Sequence, residues 1–274
     1  MIPRLFHYIW VGGAPLPKHL ENNISTWLKF NPDYDIIRWD ENNINFSSPV
    51  LRRVYRLGYW ARVADIVRLQ ILYEYGGIYL DVDIKVIKAF DPLLSHGCFI
   101  GLERESYISN AVIGAEPKHE LIKTALTAIH QNKVGVEKMD PSYGPVLLTD
   151  ILLKNKCKLA TNGSVECRND NIFVAPKSYF HPLAWDLPRS DRHQLENFIT
   201  PETVCIHLFD HSWKTEKNEN ATFFLQTIIR LYPRIFRNKI IGSLYSQLVF
   251  FSEMGRGRIG FILRKMPWQL SHRP

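Results

Sequence analysis

The sequence predicts an α/β fold, and three observations point there. Short apolar runs closed by glycine or proline alternate, through the first half of the 274-residue chain, with longer segments of helical period. Apolar residues make up 46% and charged residues 22%, the composition of an ordinary globular protein. No internal repeat or low-complexity linker breaks the chain, but the composition shifts near residue 215. The expected organisation is one large α/β domain over 1–215 and a basic, aromatic-rich helical extension over 216–274.

Taken in order, Leu5 to Val11 is an apolar run closed by Gly12-Gly13, a buried strand followed by a loop. Lys18 to Lys29 reads as a helix. Tyr34 to Trp39 is a second strand after the turn Asn31-Pro32-Asp33, and the polar stretch Asp40 to Ser48 reads as loop. Trp60 to Tyr75 is a long apolar helix stopped by Gly76-Gly77. Strands follow at Ile78–Leu80, Ile84–Val86, Cys98–Leu102 and Asn110–Gly114. Lys118–Gln131 and Val146–Asn155 read as helices. Asn162-Gly163 marks a two-residue hairpin turn, with further strands at Ile172–Val174 and Thr203–Leu208. Helices resume from Ala221.

The net charge of +7 is moderate and suits an anionic substrate or an anionic membrane surface; it gives little support to nucleic-acid binding. The N-terminus reads as a first strand and lacks the apolar core and cleavage site of a signal peptide. No stretch approaches the roughly 18 apolar residues of a membrane span. The expected location is cytoplasmic, peripheral on the inner face of the cytoplasmic membrane. Cys98, Cys157, Cys167 and Cys205 form no CxxC pair, which argues against structural zinc. In a two-residue Asn162-Gly163 hairpin, Cys167 would face Lys158 and not Cys157, so four reduced thiols are expected.

The chemistry concentrates in ARVADIVRLQILYEYGGIYLDVDI, Ala61 to Ile84. An otherwise apolar helix has no packing reason to carry an acid and a base, yet Asp65 and Arg68 share one face of it, three residues apart. If exposed they would form only a local ion pair; turned inward, a carboxylate can accept from vicinal sugar hydroxyls and a guanidinium can fork onto a diphosphate. Asp81 and Asp83 leave a strand one residue apart, and in extended backbone they point the same way. Such a pair can grip Mn²⁺ or Mg²⁺, hard cations that share their coordination with substrate phosphates. Further along, CIHLFDHSW (Cys205 to Trp213) offers His207, His211 and Ser212 as remaining metal or diphosphate contacts. Trp10, at the end of the first strand, could stack a nucleobase or sit in the core.

At this point the chain resembles a family. IPRLFHYIWVGG, ARVADIVRLQILYEYGGIYLDVDI, NAVIGAEPKHEL, YGPVLLT and IHLFDHSW occur in the order expected of the DXD-containing sugar transferases. These include fungal α-1,6-mannosyltransferases and bacterial capsule and lipopolysaccharide transferases, with distant similarity to the glucosylating toxins. The resemblance covers roughly Ile2 to Trp213. It implies a GT-A, Rossmann-like nucleotide-sugar-binding fold, a nucleotide-sugar donor, Mn²⁺ or Mg²⁺, and transfer with retention of anomeric configuration. By position it implies Asp65 and Arg68 on the donor sugar and diphosphate. Asp81 would lie near ribose and sugar with its metal contact through water, Asp83 would ligate the metal directly, and His207 and Ser212 would lie in the metal and diphosphate segment. Trp10 would sit against the base and Trp213 would close over the diphosphate. Retention without an enzymatic nucleophile suggests front-face attack by the acceptor hydroxyl, with Glu103 within reach of the acceptor.

The implied partners are a nucleotide sugar, UDP-linked or GDP-mannose, and a glycan or lipid-linked glycan acceptor in surface polysaccharide assembly. Arg234, Arg237, Lys239, Arg256, Arg258, Arg264 and Lys265 alternate with Phe250, Phe251, Phe261 and Trp268 in the tail. That pattern suits a helix lying in an anionic membrane interface equally with one packed on the catalytic domain. Three rival readings fit the sequence less well. A DxD phosphatase usually has Thr or Val at the fifth motif position, where this chain has Lys85. A non-catalytic binding protein would not need Asp65, Arg68, Asp81 and Asp83 together. A protein-modifying toxin would need delivery domains.

Overall fold

The computed structural model describes residues 1–104, 107–131, 144–154, 157–159, 165–166, 171–184, 187 and 195–210. The chain divides into two compact units, Met1–Val136 with Ser142–Asp210, and Glu137–Pro141 with His211–Pro274. The second unit, with the basic tail, Ser212 and Trp213, lies outside the described residues. Among the described residues no helix is long and apolar enough to cross a membrane.

The first unit is mixed α/β, as expected. Its elements are β1 (Leu5–Ile9), α1 (Lys18–Phe30), β2 (Asp35–Trp39), α2 (Pro49–Arg56), α3 (Trp60–Tyr75), β3 (Gly77–Leu80), β4 (Ile84–Val86), β5 (Cys98–Arg104), β6 (Tyr107–Ala115), α4 (Glu120–His130), α5 (Pro145–Lys154), β7 (Lys158–Leu159), β8 (Val165–Glu166), β9 (Ile172–Ala175), α6 (Lys177–Phe180) and β10 (Cys205–His207). The main sheet runs β2-β1-β3-β6-β5-β9-β8-β7, and β10 pairs with β4 in a separate ribbon. Strands β2, β1 and β3 are parallel; β6 turns the sheet antiparallel on both its sides. One buried cluster packs α2 to α5 on one face. A second packs Trp27, Phe90, Phe99 and Phe180 on the other.

Local chemistry explains the elements. Helix α2 was not anticipated; Ser48 accepts from the Leu51 N–H and Pro49 occupies the first turn, a start signal that the polar stretch before it obscures. Helix α4 starts at Glu120, after the expected Lys118, because Lys118 has φ of 63° and His119 caps the helix through the Leu121 N–H. Helix α3 ends at Gly76, whose N–H donates to the Leu72 carbonyl. Gly77 has φ of 91°, and a Cβ there would lie 2.5 Å from the Leu5 carbonyl oxygen. Only glycine lets the chain turn from α3 straight into β3 against β1.

One cysteine expectation is corrected. The β7–β8 ladder pairs Lys158 with Glu166 and Leu159 with Val165. That is one residue out of the register a two-residue turn at Asn162-Gly163 would impose, so the argument against a bridge at Cys157 fails. Cys157 is disulfide-bonded, whereas Cys98 and Cys205 are free and buried as expected.

Beneath the sheet, His7 is wholly buried between the Gly76 carbonyl, 2.9 Å from Nε2, and the Trp39 indole N–H, which donates to Nδ1. Burial pushes its pKa down to about 4, against the pull of the Gly76 carbonyl. Between that value and the ordinary 6.5 the unfolded chain binds the extra proton. Native stability therefore falls as pH falls through this window, by up to about 3 kcal/mol from this one residue. Urea unfolding at pH 7 and pH 4.5 should show a larger loss for the wild type than for His7→Gln; equal losses would contradict the assignment.

Candidate active site

The candidate site forms where β1 and β3 end side by side, releasing Trp10 and Asp81, with α3 lying across the same edge. This is the edge at which open α/β sheets bind ligands.

Arg68 ties the elements together. Its side chain is only 5% exposed, and it reaches Asp65 at 3.2 Å, Asp81 at 3.2 Å and the Asn110 carbonyl at 2.5 Å. The guanidinium also lies over the Tyr79 ring, 4.5 Å from its centroid. Burial works against its charge, but Asp81, Tyr79 and Asp65 outweigh that and raise its pKa further. Asp65 and Arg68 therefore do pair, the alternative to direct substrate contact, but the pair is buried and extends from α3 to β3 and β6. Asp65 also accepts from the Asn110 side-chain amide at 2.7 Å and lies 3.9 Å from Arg62. Gly144, φ 59°, closes over this corner; a Cβ there would lie 2.7 Å from Asn110 Nδ2 and 3.2 Å from both Asp65 carboxylate oxygens.

Asp81 and Asp83 are brought together by a turn, not by strand alternation. The Ile84 N–H donates to the Asp81 carbonyl at 3.0 Å, closing Asp81-Val82-Asp83-Ile84 between β3 and β4. The Asp81 N–H donates to the Ala111 carbonyl, continuing the β3–β6 register. Tyr79, two residues back on β3, donates its hydroxyl to Asp81 Oδ1 at 2.7 Å. Asp83 is fixed from the other side: its Oδ2 accepts from the Asp210 N–H at 2.9 Å, and its carbonyl accepts from the Leu208 N–H. The β4–β10 ladder sets His207 opposite Ile84, and His207 Nε2 lies 3.3 Å from Asp83 Oδ1.

The carboxyls differ electrostatically. Burial raises Asp81; Arg68 opposes this and the neighbouring Asp83 charge adds to it. Burial also acts to raise Asp83, but His207 and the Asp210 N–H outweigh it and hold the carboxyl at about 2. Burial lowers the His207 imidazole, while Asp83, Asp81 and Glu103 raise it above its ordinary value. Ligand atoms of Asp81, Asp83 and His207 lie within 4.8 Å of one another, a group that can hold a metal ion. Two carboxylates and one imidazole fit a divalent first-row ion or Mg²⁺ better than the all-oxygen cages of Ca²⁺.

Trp10 follows β1 half-buried, donating its indole N–H to the Ala14 carbonyl at 2.7 Å. The loop beyond it is pinned by Glu41, which accepts from the Gly12 N–H and the Tyr55 hydroxyl. The structure brings Asp65 and Arg68 to Asp81, and Asp81 to Asp83 and His207; Ser212, Trp213 and His211 lie outside the described residues. Sequence reading missed Tyr79 and Asn110. The signal for Tyr79 was its place two residues before Asp81 on one strand; Asn110 opens the apolar run NAVIGA without a packing role.

The chain is similar to known proteins over part of its length. Residues 17–100 match the family described as "Glycosyltransferase sugar-binding region containing DXD motif". Inositol phosphoceramide mannosyltransferase 3 of Schizosaccharomyces pombe is 32% identical over 126 residues, 44% of this chain and 35% of that protein. Mannosyl phosphorylinositol ceramide synthase SUR1 of Saccharomyces cerevisiae is 29% identical over 175 residues, 60% of this chain and 46% of that protein. The chain therefore spans less than half the length of these two relatives. Among solved structures, the PaToxG glycosyltransferase superposes with a TM-score of 0.46 at 20% identity, over 56% of this chain and 69% of that one.

Removing Arg68 would strand two carboxylates. Arg68→Met should destabilise the protein by about 3–5 kcal/mol, read from the urea midpoint; a loss below about 1 kcal/mol would show that the cation does not organise the site.

Proposed function

We propose that this chain, a member of the DXD-motif glycosyltransferase family through residues 17–100, catalyses metal-dependent transfer of a hexose from a nucleotide sugar to a glycan or glycolipid acceptor. The observation that carries the reading is the convergence of Asp81, Asp83 and His207 beside the buried Asp65–Arg68–Asn110 cluster. Asp83 and His207, with Asp81, are the residues that would hold Mn²⁺ or Mg²⁺. When bound, such an ion supplies positive charge against the departing diphosphate.

The chain's own residues do the rest. Arg68 neutralises Asp65 and Asp81 and holds both carboxylates at fixed positions, where they accept from donor hydroxyls without reorganising during reaction. Tyr79 and Asn110 orient those carboxylates. Trp10, with its N–H committed to Ala14, offers a ring face to the base. Each site carboxylate is already engaged: Asp65 by Arg68 and Asn110, Asp81 by Arg68 and Tyr79, and Asp83 by His207 and Asp210. That engagement suits positioning better than nucleophilic attack, and it supports front-face transfer with retention.

Both compared fungal relatives are named for mannosyl transfer to inositol phosphoceramide. Their names favour a lipid-linked acceptor over a free polysaccharide. They also favour a second donor reading, GDP-mannose, beside the UDP-sugar suggested by a flat base against Trp10.

Donor hydrolysis tests the reading. With UDP-Gal, UDP-Glc, UDP-GlcNAc, UDP-GalNAc and GDP-Man, each with Mn²⁺ and with EDTA, one donor should turn over and EDTA should abolish the turnover. Asp83→Ala should lower it by about 10²-fold or more in protein that still folds, with some loss of stability because the Asp210 N–H and His207 lose their partner. Turnover that survives EDTA or Asp83→Ala would refute the metal assignment.

A further inference from the structure

Behind His207 sits a second imidazole, which lies outside the sequence motifs quoted above. His181 follows α6, its N–H donating to the Lys177 carbonyl at 2.9 Å, and its side chain has no exposure at all. Neither of its ring nitrogens has a hydrogen-bond partner; nor does Nδ1 of His207. These three are the only such buried side-chain nitrogens or oxygens among the described residues. Native proteins rarely leave buried polar atoms unpaired, because each costs its full desolvation penalty. Three orphans in one place, on two rings whose centroids are 5.4 Å apart at an interplanar angle of 75°, point to a shared purpose.

The surroundings leave these nitrogens few other outlets. Phe209 lies against the His207 ring, 3.9 Å between centroids, and Phe180 and Phe209 flank His181 at 6.4 Å each. Gly101 backs His181 so closely that a Cβ would come within 3.3 Å of its Cε1 and Nδ1. The Leu102 backbone approaches His181 without reaching hydrogen-bond geometry. His207 faces Asp83 with Nε2, so Nδ1 is the nitrogen turned away from the carboxylates. A metal-ligating histidine characteristically donates its other N–H to a fixed partner, which sets both tautomer and ring orientation. Among the described residues no carboxylate or carbonyl fills that role for His207, and His181 packs edge-to-face beside it.

We propose that His181 is a positioning residue for the metal centre, taking the Nδ1 proton of His207 in a hydrogen bond relayed by one buried water and so presenting the His207 Nε2 lone pair to the ion. A neutral imidazole both donates and accepts. The relayed bond thus satisfies His207 Nδ1 and one nitrogen of His181, and the Leu102 backbone offers the water a third partner. This inference rests on the metal-centre reading above.

Manganese binding to the full chain tests it, followed at fixed pH by the electron paramagnetic resonance signal of free Mn²⁺. His181→Phe removes the polar partner and keeps an aromatic ring, and should weaken Mn²⁺ binding by about 10–100-fold. His181→Gln, which again donates and accepts, should restore most of that affinity, which a purely space-filling role would not. If His181→Phe does not fold, His181→Met carries the same expectation. Wild-type affinity in the folded Phe or Met variant, or failure of Gln to recover affinity, would overturn the role of His181. Absence of Mn²⁺ binding to the wild type would instead overturn the metal-centre reading itself.

Discussion

The buried guanidinium of Arg68 is the constraint around which this site is arranged. It sits on a helix whose other fully buried residues are apolar, and it draws one carboxylate from that helix, one from the end of β3 and a carbonyl from β6 into contact. A cation so placed is costly to desolvate and is tolerated only with its partners fully assembled. Its presence therefore couples formation of the site to docking of α3 on the sheet: neither carboxylate can occupy its position unless the helix does. The same coupling gives the site its rigidity, because Tyr79 and Asn110 hold the carboxylates from the sheet side.

The second half of the site depends on backbone geometry. The tight turn at Asp81–Ile84 directs two carboxylates into one space, and the short β4–β10 ladder brings a residue more than 120 positions away to face them. The acids are consequently not equivalent. Asp81 shares itself between Arg68 and the metal group, whereas Asp83 is held ionised by His207 and the Asp210 N–H. An arrangement with one shared and one dedicated carboxylate suits a cation that must be retained while a diphosphate arrives and leaves.

Much of this was legible in the sequence where the determinants are local. Helix α3 announced itself by apolar period and glycine stop, and the acid and base on it stood out because packing did not explain them. The DxD and the alternating architecture were legible for similar reasons, whereas His207 stood out only through the family resemblance. What escaped depended on residues far apart in the chain. Asn110 gains its role only when β6 pairs with β3 beneath a residue 45 positions earlier. Helix α2 hid behind a polar loop whose last residue is its cap. The environment of Cys157 turned on a one-residue register that a turn motif alone does not determine. Orphaned nitrogens such as those of His181 and His207 have no sequence signature, since they are defined by what the fold fails to place beside them.

On this reading Asp81, Asp83 and His207 would hold the ion that receives a nucleotide-sugar diphosphate beside Arg68. The most direct measurement is anomalous diffraction from crystals of the protein grown with Mn²⁺ and a nucleoside diphosphate. Such crystals should show a manganese peak within coordination distance of Asp83 and His207, with diphosphate density on its Arg68 side. A manganese peak elsewhere, or a diphosphate bound away from this edge of the sheet, would contradict it.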